Sequence, residues 1–128
     1  KPAGKTIRTD MGFPISRLPE VVERSYVIAE RHQVVLHTFG HAGIGILHAL
    51  LREDPTDTDR WAAAQQAKDE IVAFVLSVGG TASGEHGIGL GSQKYLQQEH
   101  GASVELMKGI KQLFDPKHIL NPGKIWEQ

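Results

Sequence analysis

The 128-residue sequence contains no cysteine, which excludes disulfides, thiolate metal sites, iron–sulfur clusters and cysteine nucleophiles. It has no basic excess either: fourteen Lys and Arg stand against fifteen Asp and Glu, a formal charge of -1. Phosphate-binding surfaces are normally marked by such an excess, so nucleic acid is not an expected partner. Long apolar runs are missing. The most continuous one, Ile71 to Val78, is eight residues including Ser77, far below the ~20 needed to span a bilayer. No signal peptide is visible, because the opening Lys-Pro-Ala-Gly-Lys has no apolar segment behind it. An initiator Met is absent and a strand-like pattern begins almost at once, so a piece of a longer protein is expected. With 40% apolar and 23% charged residues, the chain is long enough for one buried core and too short for two. A soluble, reduced, globular domain is the expected class.

Hydrophobic periodicity supplies the elements. Ile7, Thr9, Met11 and Phe13 alternate with Thr6, Arg8 and Asp10, the pattern of a half-buried strand. Pro14 and Pro19 bracket a segment in which Ser16 is a candidate cap for a helix beginning near Leu18. Leu18, Val21, Val22, Ile28 and Ala29 then share one helical face up to about Arg31. Gln33 to Phe39 is β-branched and alternating, and Ile46 to Leu51 is the next strand after a Gly-rich turn. Asp54-Pro-Thr-Asp-Thr-Asp is turn chemistry leading into a long helix. That helix has a predicted buried stripe of Trp61, Ala64, Ala67, Ile71, Phe74, Val75 and Val78. Two short helices, Gln93–Glu99 and Ser103–Phe114, close the pattern before Asp115-Pro116.

Strand, helix, strand, strand, helix is most of a βαββαβ unit. The predicted fold class is therefore α+β: a ferredoxin-like antiparallel sheet with helices on one face, plus a helical C-terminal extension. The ferredoxin-like unit is expected over about 5–90 and the extension over about 91–128. No internal repeat or low-complexity linker interrupts them.

Two segments carry candidate chemistry. The first is His41-Ala-Gly-Ile-Gly-Ile-Leu-His48, between two predicted strands. A turn centred on Ile44 and Gly45 would make positions 41 and 48 mirror partners, with Cβ atoms roughly 4.5–5.5 Å apart. That separation suits two imidazoles converging on one cation at about 2.0–2.1 Å. Gly43 and Gly45 are able to take positive φ and let a ligand approach the backbone. The plain alternative is a pair of ordinary histidines near a turn. The second segment, Gly79 to Gly89, lies in the stretch Gly79 to Gly91, which holds six glycines in thirteen residues. Within it Glu85 is a candidate oxygen ligand and His86 a candidate general base, neutral imidazole being matched to proton transfer near pH 7. Its plain alternative is a loop closing the long helix, with Gly79 at the C-terminus. A phosphate-cradling reading is weaker, because no Gly-Lys-Ser/Thr follows. His32, His37, His100 and His118 read as surface or strand residues.

Four blocks together resemble the C-terminal region of FAD-linked oxidases, a family that includes the glycolate oxidase flavin subunit, D-lactate dehydrogenase and D-2-hydroxyglutarate dehydrogenase, within the vanillyl-alcohol-oxidase type of flavoprotein. They are Asp10-Met-Gly-Phe-Pro-Ile-Ser-Arg-Leu-Pro-Glu20, His41 to His48, Gly79 to Gly89, and Phe114-Asp-Pro-Lys-His-Ile-Leu-Asn-Pro-Gly-Lys-Ile125. They cover nearly the whole chain, and Ser83-Gly-Glu-His-Gly-Ile-Gly89 is the most specific of them.

The resemblance implies roles. Metal-dependent members have His-x-Gly-Asp-Gly-Asn-x-His, whose outer histidines bind a divalent cation; these positions are His41 and His48. The Glu of their Gly-Glu-His-Gly is the third ligand, here Glu85, and the adjacent His is the base on the substrate hydroxyl, here His86. Arg8 stands two positions before Asp10, where the family places a basic residue that holds the substrate carboxylate. The tail around Asn121 is similar to one that meets the flavin. The implied reaction is oxidation of a 2-hydroxy acid of the glycolate or D-lactate type, with hydride transfer to FAD. FAD is bound mainly by an N-terminal domain that this chain does not contain, so the chain alone is expected to be inactive. The implied metal is zinc or manganese, with iron also compatible with a His₂Glu set. The implied partners are the 2-hydroxy acid, the protein's own N-terminal FAD domain, and partner subunits or a homodimer. A cytoplasmic location is implied, any attachment to the inner membrane being made through partners.

This sequence departs from the family pattern where the usual Asp and Asn between the histidines are Ile44 and Ile46, and where the Asn two places after the second His is Leu50. These apolar positions support an alternative: a cap domain with a degenerate, non-metal site and a structural or interface role. They also suit a more hydrophobic hydroxy acid. A third reading is a freestanding metal-dependent hydrolase using His41, His48 and Glu85, opposed by the lack of an obviously placed second carboxylate.

Overall fold

A computed structural model describes residues 4–126; the outermost residues of the expected 1–128 domain lie outside that range. The chain runs through strands β1 (Lys5–Arg8) and β2 (Met11–Gly12), helix α1 (Leu18–Arg31), strands β3 (Leu36–His41) and β4 (Ile46–Glu53), and helix α2 (Thr58–Ser77). Helices α3 (Gln93–His100) and α4 (Ser103–Phe114) follow. It divides into two compact units, one ending at His86 and one beginning at Gly87.

The first unit is α+β, built on β4. Strands β1 and β2 pair with one edge of β4 and β3 with the other, all antiparallel. β1 and β2 keep a single register on β4, with Arg8 opposite Leu50 and Met11 opposite Leu47. The strand expected over Ile7–Phe13 is therefore one line interrupted at Thr9 and Asp10. There the Thr9 hydroxyl, rather than its carbonyl, accepts the Ala49 N–H at 2.9 Å. Beyond β2, Gly12 forms a one-residue antiparallel bridge with Thr81. The spatial order is bridge, β1/β2, β4, β3. That is the ferredoxin-like order with the last strand reduced to a single bridge.

Helices α1 and α2 pack on one sheet face. Ile7, Met11, Leu36, Leu47, Ala49 and Leu51 are buried from the sheet side, and Val21, Ile28, Ala64, Ala67, Ile71 and Val75 from the helices. Such apolar burial, at ~25 cal/mol per Å², is the main favourable term in folding. The predicted α2 stripe is narrower than expected. Trp61, Phe74 and Val78 are half-buried, while Lys68 and Val72 are buried in their place. Phe74 lies at the stripe's margin, with the Arg24 guanidinium of α1 5.9 Å above its ring.

The ends of the helices explain two further differences. Ser16 does not cap α1. Pro14 starts a 3₁₀ turn over Ile15–Arg17, closed by Arg17 N–H to Pro14 O at 2.8 Å, so Ser16 lies inside the turn and Arg17 is the N-cap. After α1, Gln33 takes a φ of 55° and reverses the chain, which delays β3 to Leu36. Helix α2 starts as its turn chemistry indicates: the Asp57 carboxylate accepts the Arg60 N–H at 3.1 Å. It ends at Gly79, whose φ of 81° satisfies a left-handed C-terminal position.

In the second unit, Asp115 anchors the segment that follows α4. Its carboxylate accepts the N–H groups of Ile119 and Leu120 at 3.0 and 2.9 Å and pairs with the Lys111 ammonium. The Lys111 hydrogen bond is the main cause that holds this carboxyl at about 2, below its usual 3.8. Among the described residues, no helix is long and apolar enough to cross a membrane.

Candidate metal centre

Period-two alternation sends the helix-facing residues of β4 to the core and the others to an open face. That face carries, row by row, His41 beside Ile46, Phe39 beside His48, and His37, Leu50 and Arg8 together. The hairpin is not centred where the sequence suggested. Its pairs are His41 with Ile46 and Phe39 with His48, so the centre falls between Gly43 and Ile44. The cause is a 3₁₀ turn over Ala42–Ile44 closed by Gly45 at a φ of 70°. Gly45 already belongs to the sheet, its carbonyl accepting the Phe13 N–H at 2.9 Å. His41 and His48 are diagonal neighbours as a result, with ring centroids 6.1 Å apart and planes at 86°. They still share a face, so they still converge.

The loop after α2 folds over this face and brings Glu85 and His86 to it. Thr81 N–H donates to Gly12 O at 2.8 Å and Gly84 N–H to Asp10 O at 3.1 Å. The N–H groups of Glu85 and His86 then donate to Asp10 Oδ2 at 2.9 and 2.7 Å. Only glycine fits at position 84, because a Cβ there would stand 2.8 Å from Asp10 Oδ1 and 3.1 Å from Met11 O.

The outcome is a convergence on one oxygen. Glu85 Oε1 lies 3.1 Å from His48 Nε2, 3.3 Å from His41 Nε2 and 3.5 Å from His86 Nε2. Atoms that each bind one small cation at about 2.0–2.2 Å stand roughly 3.0–3.5 Å from one another. The donor set of imidazoles and a carboxylate fits zinc, manganese or iron. His48 forms the floor at 7% exposure, while His41, Glu85 and His86 form an accessible rim.

Asp10 is a residue that motif reasoning passed over as a site member. One ligand atom from each of Asp10, His48, Glu85 and His86 lies within 4.8 Å of the others; His41 is outside that set and meets it at Glu85 Oε1, 3.3 Å from its Nε2. A second carboxylate therefore is present at the site, contrary to the sequence reading. The signal was available: Asp10 follows Arg8 by two, and the β1/β2 register carries it level with His48.

The apolar departures lie in three different settings. Ile46 is buried beside His41, with its Cγ2 3.2 Å from where a Cβ on Gly84 would be. Ile44 is exposed at the turn, and Leu50 is half-buried between His37 and Arg8. Phe39, 56% exposed, lies with its ring centroid 5.0 Å from that of His48. Arg8 is exposed one row from His48, a spacing of roughly 7 Å along the strand. Asn121 belongs to the second unit, where it has a φ of 48° and borders a cavity of about 750 Å³ between α4 and the tail.

Residues 1–125 match the family model described as "FAD linked oxidases, C-terminal domain". The chain is similar to the probable mitochondrial D-lactate dehydrogenase of Danio rerio, at 37% identity over 99% of this chain and 26% of the relative. It is 37% identical to glycolate oxidase subunit GlcD of Bacillus subtilis, over 94% of this chain and 26% of that protein. It is 31% identical to D-2-hydroxyglutarate dehydrogenase of Stutzerimonas stutzeri, over 93% of this chain and 27% of that protein. The chain thus spans about a quarter of the length of these relatives. With a match over nearly all of its length, the chain belongs to the FAD-linked oxidase C-terminal domain family.

Proposed function

We propose that this domain supplies the metal-binding and substrate-binding side of an FAD-dependent oxidation of a 2-hydroxy acid of the glycolate or D-lactate type. The observation that carries the reading is the convergence of three imidazole Nε2 atoms on Glu85 Oε1 within 3.1–3.5 Å. His41, His48 and Glu85 would hold the divalent cation, zinc or manganese. When bound, the cation makes the substrate hydroxyl more acidic and FAD accepts the hydride released from the α-carbon.

The chain's own groups do the rest. His86 Nε2 accepts the hydroxyl proton, from a rim position open to substrate. Arg8 donates charge-assisted hydrogen bonds to the substrate carboxylate from one row along the same sheet face. Phe39 and Leu50 line the space between them with apolar surface, which favours a hydroxy acid with an apolar substituent. Asn121 contacts the flavin from the second unit. The partners in this reading are the hydroxy acid and the FAD-binding domain of the same protein, and oxidation requires both.

Calorimetric titration of the chain with zinc and manganese, beside His41→Ala and Glu85→Gln, tests the proposal. Near-stoichiometric binding lost in both variants is the expected result. A wild-type chain that binds neither metal would instead favour a cap domain with a degenerate site, as Ile44 and Ile46 suggest. Hydroxy-acid oxidation is then measured in a protein carrying the domain together with FAD, where His86→Ala is expected to lose turnover while retaining the metal.

A further inference from the structure

The Asp10 carboxylate has one oxygen fully engaged and one that is not. Oδ2 accepts the N–H groups of Glu85 and His86 at 2.9 and 2.7 Å. Oδ1 is buried and has no hydrogen-bond partner among the described residues, yet it stands 3.5 Å from His48 Nδ1. The other ring nitrogen, His48 Nε2, is the one 3.1 Å from Glu85 Oε1. One imidazole presents its two nitrogens in opposite directions, so Asp10 and Glu85 sit on opposite sides of the same ring. Asp10 faces the Nδ1 edge of His48 and Glu85 its Nε2 edge, so a cation bound at Nε2 leaves Nδ1 to Asp10.

A buried carboxylate oxygen without a donor is costly, and the protonated Nδ1 of His48 is the group placed to meet it. Side chains of Asp10 and His48 are only 14% and 9% exposed, so bulk water competes poorly for either. An imidazole with its proton on Nδ1 has its lone pair on Nε2, the form needed to bind a cation. The same carboxylate also holds the backbone of residues 85 and 86.

We propose that Asp10 is a positioning residue that holds His48 as the Nδ1–H tautomer, with the Nε2 lone pair turned toward Glu85, while tying down the loop that carries Glu85 and His86. This rests on the cation reading for its purpose, though the tautomer itself does not require a metal to be present. Asn at this position cannot replace Asp, because its single carbonyl oxygen cannot serve both the two loop N–H groups and His48 Nδ1–H.

The test reads both properties in the 128-residue chain. Long-range ¹H–¹⁵N correlation of the metal-free protein at about pH 8, above the usual imidazole range, reports the His48 tautomer. The expected pattern is a proton on Nδ1 in the wild type and its loss in Asp10→Asn. Zinc titration is expected to show affinity weakened about 10–100-fold in Asp10→Asn, the usual effect of removing an outer partner of a ligating histidine. A wild-type His48 protonated on Nε2 would overturn the proposal even if the variant did not fold. So would a folded Asp10→Asn that binds zinc as tightly as the wild type. A wild type that keeps the Nδ1–H tautomer but binds no zinc would sink the cation reading alone and leave the positioning of His48 supported.

Discussion

His41 and His48 meet diagonally across the β3–β4 hairpin, and both Nε2 atoms lie within 3.3 Å of the same Glu85 oxygen. The diagonal matters because the two histidines are not equivalent. His48 is buried at 7% exposure between Phe39, Asp10 and the loop, whereas the side chain of His41 is 58% exposed at the end of β3. A buried, laterally held imidazole loses little freedom on binding a cation; an exposed one must first be ordered.

His48→Ala is therefore expected to weaken zinc binding more than His41→Ala. The loss for His48 should exceed the ~10–100-fold typical of an outer-shell partner. Competition titration against a chelator of known affinity measures both. Equal losses would show that the two rings contribute alike and that burial confers no advantage.

Gly45→Ala should destabilise the first unit. At a φ of 70° an L-residue is strained, and its Cβ would stand 2.2 Å from Phe13 O. The left-handed conformation alone costs about 1–2 kcal/mol, and the clash adds to it. Urea unfolding followed by circular dichroism is expected to show a lower midpoint with loss of at least ~2 kcal/mol. Because this turn sets the offset between His41 and His48, metal affinity should fall as well.

Ile71→Ala probes the core without touching the site. Ile71 is fully buried on α2, so its truncation should cost about 2–5 kcal/mol. In the folded fraction at low temperature, zinc affinity should match the wild type.

Acid should loosen the second unit only below the ordinary carboxylate range. Asp115 titrates at about 2 when folded, against 3.8 ordinarily, chiefly through Lys111. A depressed carboxyl stabilises the fold above its unfolded value, and that contribution fades as pH falls from about 4 toward 2. The Ile119 and Leu120 amides donate to the Asp115 carboxylate, and their protection against hydrogen exchange, relative to the intrinsic rate at each pH, should fall over that window. In Asp115→Asn the amides should exchange faster at neutral pH and show no such acid dependence.

Local patterns announced most of the elements. The α1 span and the central strand β4 followed from apolar periodicity, because one-sided burial imposes a period that is visible in the residues themselves. The α+β class and the family followed from the same order of elements and from blocks such as Ser83–Gly89, whose residue types are tied to a particular chemistry. What went astray was local closure. Ser16 has the composition of a cap, yet Pro14 tightened the chain into a 3₁₀ turn that left it no N-terminus to cap.

The sequence by itself determined which residue types were available to a site: two histidines seven apart, a Glu-His pair among glycines, and an arginine two residues before an aspartate. Only the tertiary structure decided how they meet. Register across a hairpin depends on the turn, and moving its centre by one residue changed His41 and His48 from opposed to diagonal. The role of Asp10 depended on a loop more than seventy residues away folding back onto β2, with two N–H groups directed at one carboxylate. Periodicity records which face a residue shares with its near neighbours; it carries no information about which distant backbone amide will be brought to it.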